Sequence, residues 1–269
     1  MDSTRPIRAL MRGLDALNAL NLRDGATVSE VAQEIHLPRT TAYRILETLC
    51  DSGYVSRDPA DERYRLSILV RGLSMGFDDE AWITQIARPC LFELGEAIVW
   101  PVYIATLTGT TLTVREATDH RSPLAIEPYC VGMQLPLLTT SAGLAYLADC
   151  SAAERSALLQ TLELSTKDED RLARDRDELS RLLAEVSALG YATTTRTHRL
   201  LEELSISLSV ALRDRPAAVL TVRFAASALP LKSGLERFLP KLRHCAAKIS
   251  ATFSQNRADV GTGMPRSAA

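Results

Sequence analysis

The sequence predicts an α+β chain in two parts, a small helical domain with a hairpin at the N-terminus and a larger mixed domain behind it. Three observations predict this. At 269 residues the chain is long enough for two domains, one of them with a sizeable core. Up to about residue 66 the apolar residues recur mostly at helical spacing, broken sharply at Pro38 and Gly53. From Trp100 onward, period-two segments alternate with helical ones, and strands grouped with helices around one sheet give the α+β class.

Residues 5 to 21 read as a first helix with Ile7, Leu10, Met11, Leu14 and Leu17 on one side, able to pack behind the next helices and to meet a second copy. Thr27 is a good N-cap, and Glu30 stands where it completes a capping box. Val31 and Ile35 share a face of the short helix that follows. That helix ends at His36 and Leu37, because Pro38 disfavours helical backbone in the residue before it. Pro38 suits the first position of the next helix. There Ala42, Ile45, Leu46 and Leu49 form an inward stripe, leaving Arg39, Thr40, Thr41, Tyr43 and Arg44 on the other side of the first turns. Gly53 closes it. A hairpin follows, with Arg57, Arg63 and Arg65 near its DPADE turn. Residues 24 to 66 thus have the layout of a winged helix-turn-helix, whose second helix enters the DNA major groove N-terminus first while wing arginines touch phosphates. Charge lends less support: residues 1–75 hold ten Arg, no Lys and ten Asp or Glu, so the basic footprint of many DNA readers is missing.

The whole chain carries a net charge of −2 and is 46 % apolar. The start, MDSTRPIRAL, lacks the apolar stretch of a secretory signal, and no run reaches the roughly 18 apolar residues of a membrane span. A cytoplasmic protein with no membrane partner is expected. Cys50, Cys90, Cys130, Cys150 and Cys245 form no CxxC pair, and His36, His120, His198 and His244 show no ligand spacing, so neither a metal nor a cofactor is expected.

After the wing, SILVRGLSMGF reads as a linker helix (68–80 with its acidic end), and DDE at 78–80 can cap a helix running to about Ile98 with Trp82, Ile83, Ile86, Cys90 and Leu94 inward. Pro89 should kink or restart it. VYIATL and TLTVREAT flank a Thr108-Gly109-Thr110 turn as a hairpin. A turn region, GMQLPLLTT, leads into a helix at SAGLAYLADC, followed by helices at about 151–163 and 170–189, the last stopped by Gly190. YATTT, ELSISLSVAL and AAVLTVRFAA read as strands, with a turn at 213–216. Alternation puts Leu204, Ile206, Leu208, Val210 and Leu212 on one face, against Ser205, Ser207 and Ser209; Leu220, Val222 and Phe224 lie opposite Thr221 and Arg223. Arg223 is solvent-exposed on a bare sheet, but under a covering helix or loop it becomes a carboxylate anchor. A final helix covers about 232–254, and 256–269 read as a disordered tail.

RGLDALNAL, LPRTTAYRILETLCDSGYV and GMQLPLLTTSAGLAYLA together resemble the IclR family of bacterial transcription regulators, over about residues 6 to 253. IVWP at 98–101 and VREAT at 114–118 resemble its MhpR-like branch, activators of hydroxyphenylpropionate breakdown. The resemblance implies a winged helix-turn-helix (1–67), a linker helix (68–80) and a GAF-like effector-binding domain (81–255), in dimers or tetramers. It also implies a small organic acid bound between sheet and loop-helix segment. Ser141 and Ala142 match positions whose amides meet the ligand carboxylate, as helix N-termini favour anions. Leu124, Leu135, Leu204 and Ile206 match apolar pocket positions. Thr221 and Arg223 match two polar ones that are serine in the best-known acid-binding member, and Thr194 stands where that member has an acidic residue. Tyr103 and Tyr129 are candidates for an aromatic wall, which makes an aromatic carboxylate the first choice of effector.

The expected function is a sequence-specific regulator of a catabolic operon, with activation the preferred direction. It would bind double-stranded operator DNA through Arg39, Thr40, Thr41, Tyr43, Arg44, Arg57 and Arg63, with RNA polymerase as a further partner. The alternative is an enzymatic second domain with the first as docking module. Such an enzyme needs a nucleophile–base pair, and Ser141 has no identifiable histidine partner. A third reading, a protein–protein adaptor, differs in lacking salt-dependent DNA retention.

Overall fold

The computed structural model describes residues 6–21, 23, 25–73, 82–198, 201–212 and 215–262. The chain divides into two units, 1–78 and 79–269.

The first unit holds α1 (Arg8–Asn21), α2 (Val28–Glu34), α3 (Arg39–Asp51) and a two-stranded antiparallel wing, β1 (Val55–Arg57) with β2 (Tyr64–Leu66). Thr27 caps α2 in the expected capping box with Glu30, a device worth about 1 kcal/mol. His36 adopts φ +51° in the turn before α3. Pro38 takes the N-cap of α3 rather than its first helical position, since its ψ of 140° is still extended. Gly53, at φ +78°, ends that helix in the left-handed conformation a side chain resists. Ala16, Ala19, Leu20, Val31, Leu46, Val55 and Tyr64 form the small core. Tyr64 ties it together: its backbone bridges Ala26, and its phenol donates to Glu47 Oε1 of α3 at 2.7 Å. On α1 only part of the apolar stripe is used. Ala16, Ala19 and Leu20 are buried, whereas Ile7, Leu10, Met11 and Leu14 are each more than half exposed. Of the expected linker helix, the described part is α4 (Leu69–Gly72); the rest, and the DDE cap, lie outside the described residues.

The second unit opens with a π-helical turn, Ile83–Ala87, running into α5 (Arg88–Ile98). Pro89 sits in the first turn of α5, so the proline restarts the helix, and Ile83, Ile86, Cys90 and Leu94 are buried as their spacing predicts. The hairpin β3 (Val102–Thr108) and β4 (Thr111–Ala117) follows, then β5 (Gln134–Pro136), α6 (Ser141–Asp149), α7 (Ala152–Glu163), α8 (Arg176–Leu189), β6 (Ala192–His198), β7 (Leu201–Leu212), β8 (Arg215–Ala225) and α9 (Leu231–Thr262).

Four expectations change. The turn region before α6 contributes an edge strand, β5, paired to β4. The charged helix expected over 170–189 is two elements, a 3-10 segment Asp168–Arg174 and then α8, because Asp175 breaks the run to cap α8 through Glu178 N. Arg215 and Pro216 belong to β8, not to a turn. Lastly, α9 continues through Thr262 where a tail was expected from 256, and Pro240 lies inside it at the cost of one helical bond.

The six strands form one antiparallel sheet in the order β5-β4-β3-β8-β7-β6. Helices α5 and α9 cover one face, over Val102, Ile104, Leu204, Ile206, Leu208, Leu220, Val222 and Phe224. Helix α6 lies across the other face and contacts strands β4 to β8, with α8 behind it. Gly143 allows this approach. A Cβ there would stand 2.1 Å from the carbonyl oxygen and 2.4 Å from the Cα of Leu137.

Gly143→Ala should therefore cost about 3 kcal/mol or more in urea unfolding, since the clash is with backbone that cannot swing away. Gly13→Ala in α1, where nothing lies within 4 Å of the added carbon, should instead gain about 0.5–1 kcal/mol. Equal effects of the two changes would contradict this packing.

Candidate functional site

Two sets of residues carry chemistry, one in each unit. In the first, the N-terminal turns of α3 present Arg39, Thr40, Tyr43 and Arg44 to solvent with Thr41 half-buried, while Ala42 and Leu46 are buried on the other side. Among the described residues, neither Arg39 nor Arg44 has a carboxylate partner.

The wing differs. Arg57 pairs with Glu62 and lies over the Tyr64 ring, its Cζ 5.7 Å from the centroid. Arg63 reaches back to Glu30 Oε2 and to the Gly25 carbonyl, both at 3.1 Å. Arg65 is held by Asp58 at 3.1 Å and Asp61 at 2.6 Å. The Arg65 hydrogen bond holds the Asp61 carboxyl down at about 2. Arg57 and Arg63, expected on phosphates, are thus engaged inside the domain, and Arg63 fastens the wing to the capping box of α2. The DPADE turn that made the hairpin legible also supplies the carboxylates that neutralise it.

In the second unit a layer of hydroxyls lies between α6 and the sheet. Thr140 caps α6 by accepting from Gly143 N at 3.0 Å. Ser141, the first helical residue, donates its amide to Thr194 Oγ1 at 3.2 Å and shares its own hydroxyl with Ser205 and Ser207 at 2.8 and 2.7 Å. Ser205 bonds Thr194 in turn at 2.8 Å, and Ser207 bonds Thr221 at 2.7 Å. Thr221 then hydrogen-bonds Tyr103, whose phenol is pushed up by burial. Ala142 is fully buried beside this layer, and Leu135 belongs to the same core as Tyr103 and Tyr129.

At one end of the layer stands Arg223, 1 % exposed. Its Nη1 donates to Asp119 Oδ1 at 3.0 Å, its Nε and Nη2 to Glu203 at 3.1 and 2.9 Å, and its Nη2 also to the Glu127 carbonyl at 2.6 Å. The guanidinium carbon stacks 3.5 Å from the centre of the Tyr129 ring, and the rings of Tyr129 and Tyr103 are 5.3 Å apart. Burial alone would lower the arginine's pKa, but the Glu203 hydrogen bond and the Asp119 charge outweigh it and push it up. Asp119 also accepts from Tyr129 N at 3.0 Å. Burial pushes its carboxyl above the usual range although Arg223 pulls it down, and its Oδ2 is buried without a partner.

These positions correct several expectations. Arg223 is neither solvent-exposed nor available to a ligand carboxylate, because two carboxylates of its own chain already occupy it. Leu204 and Ile206 point to the opposite face of the sheet, into the core under α5 and α9. Leu124 is 39 % exposed and belongs to none of the buried clusters. The structure does bring Ser141, Ala142, Leu135, Thr221, Tyr103 and Tyr129 together with Thr194, and it adds Ser205, Ser207, Asp119 and Glu203. The two serines had a signal in the sequence, the polar side of an alternating strand paired Ser207↔Thr221 and Ser205↔Arg223. Asp119 had none, being 104 residues from the arginine it binds.

Among the described residues no helix is long and apolar enough to cross a membrane. The IclR helix-turn-helix domain model matches residues 9–59, and the model for the C-terminal domain of the bacterial transcriptional regulator IclR matches residues 79–251. The HTH-type transcriptional regulator BhcR of Paracoccus denitrificans is 27 % identical over 187 residues, 69 % of this chain and 66 % of its own length. Thermotoga maritima IclR, 19 % identical, shares the fold over 92 % of this chain and 99 % of its own, with a TM-score of 0.62. An IclR homologue from Microbacterium hydrocarbonoxydans, solved with 4-hydroxybenzoate, is 21 % identical over 92 % of this chain and 99 % of its own, with a TM-score of 0.57. The relatives are transcriptional regulators and not enzymes, which sets aside the enzymatic alternative. With both of its parts matched, the chain belongs to the IclR family of DNA-binding bacterial transcriptional regulators.

Proposed function

We propose that this regulator binds a specific operator as a dimer or tetramer and answers to a small organic acid in its second unit, controlling a catabolic operon. Activation, with a contact to RNA polymerase, is the preferred direction, as in the MhpR-like branch its IVWP and VREAT segments resemble. The observation that carries the DNA reading is the outer face of α3, where Arg39 and Arg44 are exposed and have no internal carboxylate among the described residues. Arg39, Thr40, Thr41, Tyr43 and Arg44 are the base and phosphate contacts in this reading. Arg57 and Arg63 contribute only where a phosphate replaces an internal carboxylate. The exposed Ile7, Leu10, Met11 and Leu14 of α1 supply an apolar face for a second copy.

For the effector, the hydroxyl layer at the N-terminus of α6 offers donors to an anion, and Tyr103 and Tyr129 offer an aromatic wall. A relative's complex with 4-hydroxybenzoate favours an aromatic acid. The segment 118–131, held by Arg223 through Asp119, Glu127 and Tyr129, is the cover of this layer in our reading. A ligand that loosens or tightens this cover changes the population of closed molecules, and only a difference in affinity between the two states does so.

Arg44→Ala should weaken specific operator binding by about 1–3 kcal/mol in a titration at fixed salt; unchanged affinity and footprint would remove it from the contact. In a thermal-shift screen of aromatic and short aliphatic acids, an effector at a hundred times its Kd should stabilise the chain by about 2.7 kcal/mol, and silence across the screen would overturn the effector reading. Asp119 adds a pH test. Its folded pKa is raised, so its contribution to stability is complete below the ordinary carboxyl value of about 3.9 and fades as pH rises through the raised value. Urea unfolding across that window should show this decline in the wild type and a flatter profile in Asp119→Asn; parallel profiles would place the carboxyl elsewhere on the pH scale.

A further inference from the structure

The strands β5 and β6 end the sheet on opposite sides of the strand order, yet they line one cleft. Gln134, Leu135 and Pro136 of β5 face Thr195 and Arg196 of β6 across about 440 Å³. The sheet therefore curls until its edges approach, and the gap between them opens beside Thr140, the cap of α6. The neighbouring residue Thr194 belongs to the hydroxyl layer. The cleft thus adjoins the polar layer through Thr140, next to Ser141, and Thr195, next to Thr194.

Its charge is suited to an anion in a way the interior is not. Inside, one guanidinium faces two carboxylates, Arg223 against Asp119 and Glu203. Arg223 is already held by these two carboxylates and by the Glu127 carbonyl, so an acid meets no unpaired cation there. At the cleft stand two cations. Lys167 already has Glu169 at 3.5 Å. Arg196 has no carboxylate partner among the described residues; its Nη1 donates to the phenol oxygen of Tyr129 at 3.2 Å. The phenol gives the guanidinium one acceptor atom without a full opposing charge, whereas a carboxylate brings two oxygens that match its fork and a full negative charge, so the exchange favours the acid.

Building on the effector reading above, we propose that this cleft is the mouth of the effector site and that Arg196 receives the effector's carboxylate there, giving up its bond to Tyr129. The exchange has a second effect. Tyr129 is the residue on which Arg223 stacks and whose amide binds Asp119. Freeing its phenol removes one of the ties on the covering segment, so the residue that meets the acid is also joined to the cover.

The test uses the full chain with benzoate, 4-hydroxybenzoate, phenylacetate and pyruvate, each read against its own primary amide by calorimetric titration. In the wild type at least one acid should bind and its amide should bind more weakly. Arg196→Gln should raise the Kd of that acid by about tenfold or more and erase the preference for acid over amide, while Arg196→Lys should restore part of both. A merely structural arginine would change the ligand-free melting temperature without changing acid–amide preference. If the wild type binds an acid and Arg196→Gln binds it equally well, the role of Arg196 is overturned and the effector reading stands. If the wild type binds none of the four, the effector reading itself fails and the cleft assignment goes with it.

Discussion

A guanidinium taken out of water must find charge and hydrogen bonds inside the protein, and Arg223 finds them on a neighbouring strand and at both ends of one connecting segment. Glu203 lies beside it on the neighbouring strand, Asp119 starts the segment that leaves β4, and Glu127 and Tyr129 belong to the return of that segment. Removing one partner from such a group costs about 3–5 kcal/mol, far more than an exposed ion pair contributes. The placement of Asp119, Glu127 and Tyr129 beside the sheet depends on this one side chain. Its location follows from the sheet: Arg223 is on the same face as Thr221, opposite Leu220, Val222 and Phe224, which anchor the strand in the other core.

Much of this was legible in the sequence. Helix periodicity, the Thr27–Glu30 box, Gly53 and Gly190 placed the helices because each signal is local, acting within one turn. The alternation in β7 and β8 placed their faces for the same reason. What a single strand does not carry is which neighbour its polar face meets. Family resemblance assigned Leu204 and Ile206 to the expected pocket, whereas the observed register puts them on the opposite face and leaves Ser205 and Ser207 on the side of Thr221 and Arg223. The sharing of Arg223 between Asp119 and Glu203 was illegible, since it requires contacts spanning 104 and 20 residues. Extent of helix was the other weak point. The polar composition from residue 256 read as a tail, whereas α9 continues through Thr262; the packing of Phe238, Leu242, Cys245 and Ile249 against the sheet accounts for the helix up to Ile249.

The two units handle charge in the same way. In the wing, Arg57, Arg63 and Arg65 each face an acidic neighbour, and in the second unit Arg223 faces two. Arg39 and Arg44 on α3 and Arg196 at the sheet edge are exposed, with no carboxylate partner among the described residues. A nearly neutral chain thereby keeps a few unneutralised cations where a polyanion or an acid can reach them, while other positive charges hold loops and hairpins in place.

The exposed stripe on α1 has a consequence for how much folded protein a cell or a cuvette contains. Four large apolar side chains in water bring a hydrophobic cost of roughly 1.5–3 kcal/mol for each that is later buried. Whatever surface covers them adds its binding free energy to that of folding, by mass action. In the proposed dimer, with a second copy covering this stripe, the melting temperature of the first unit is a property of total chain concentration as well as of sequence. Dilution of the proposed dimer would weaken fold and hold on DNA together, and abundance would then act alongside the proposed acid.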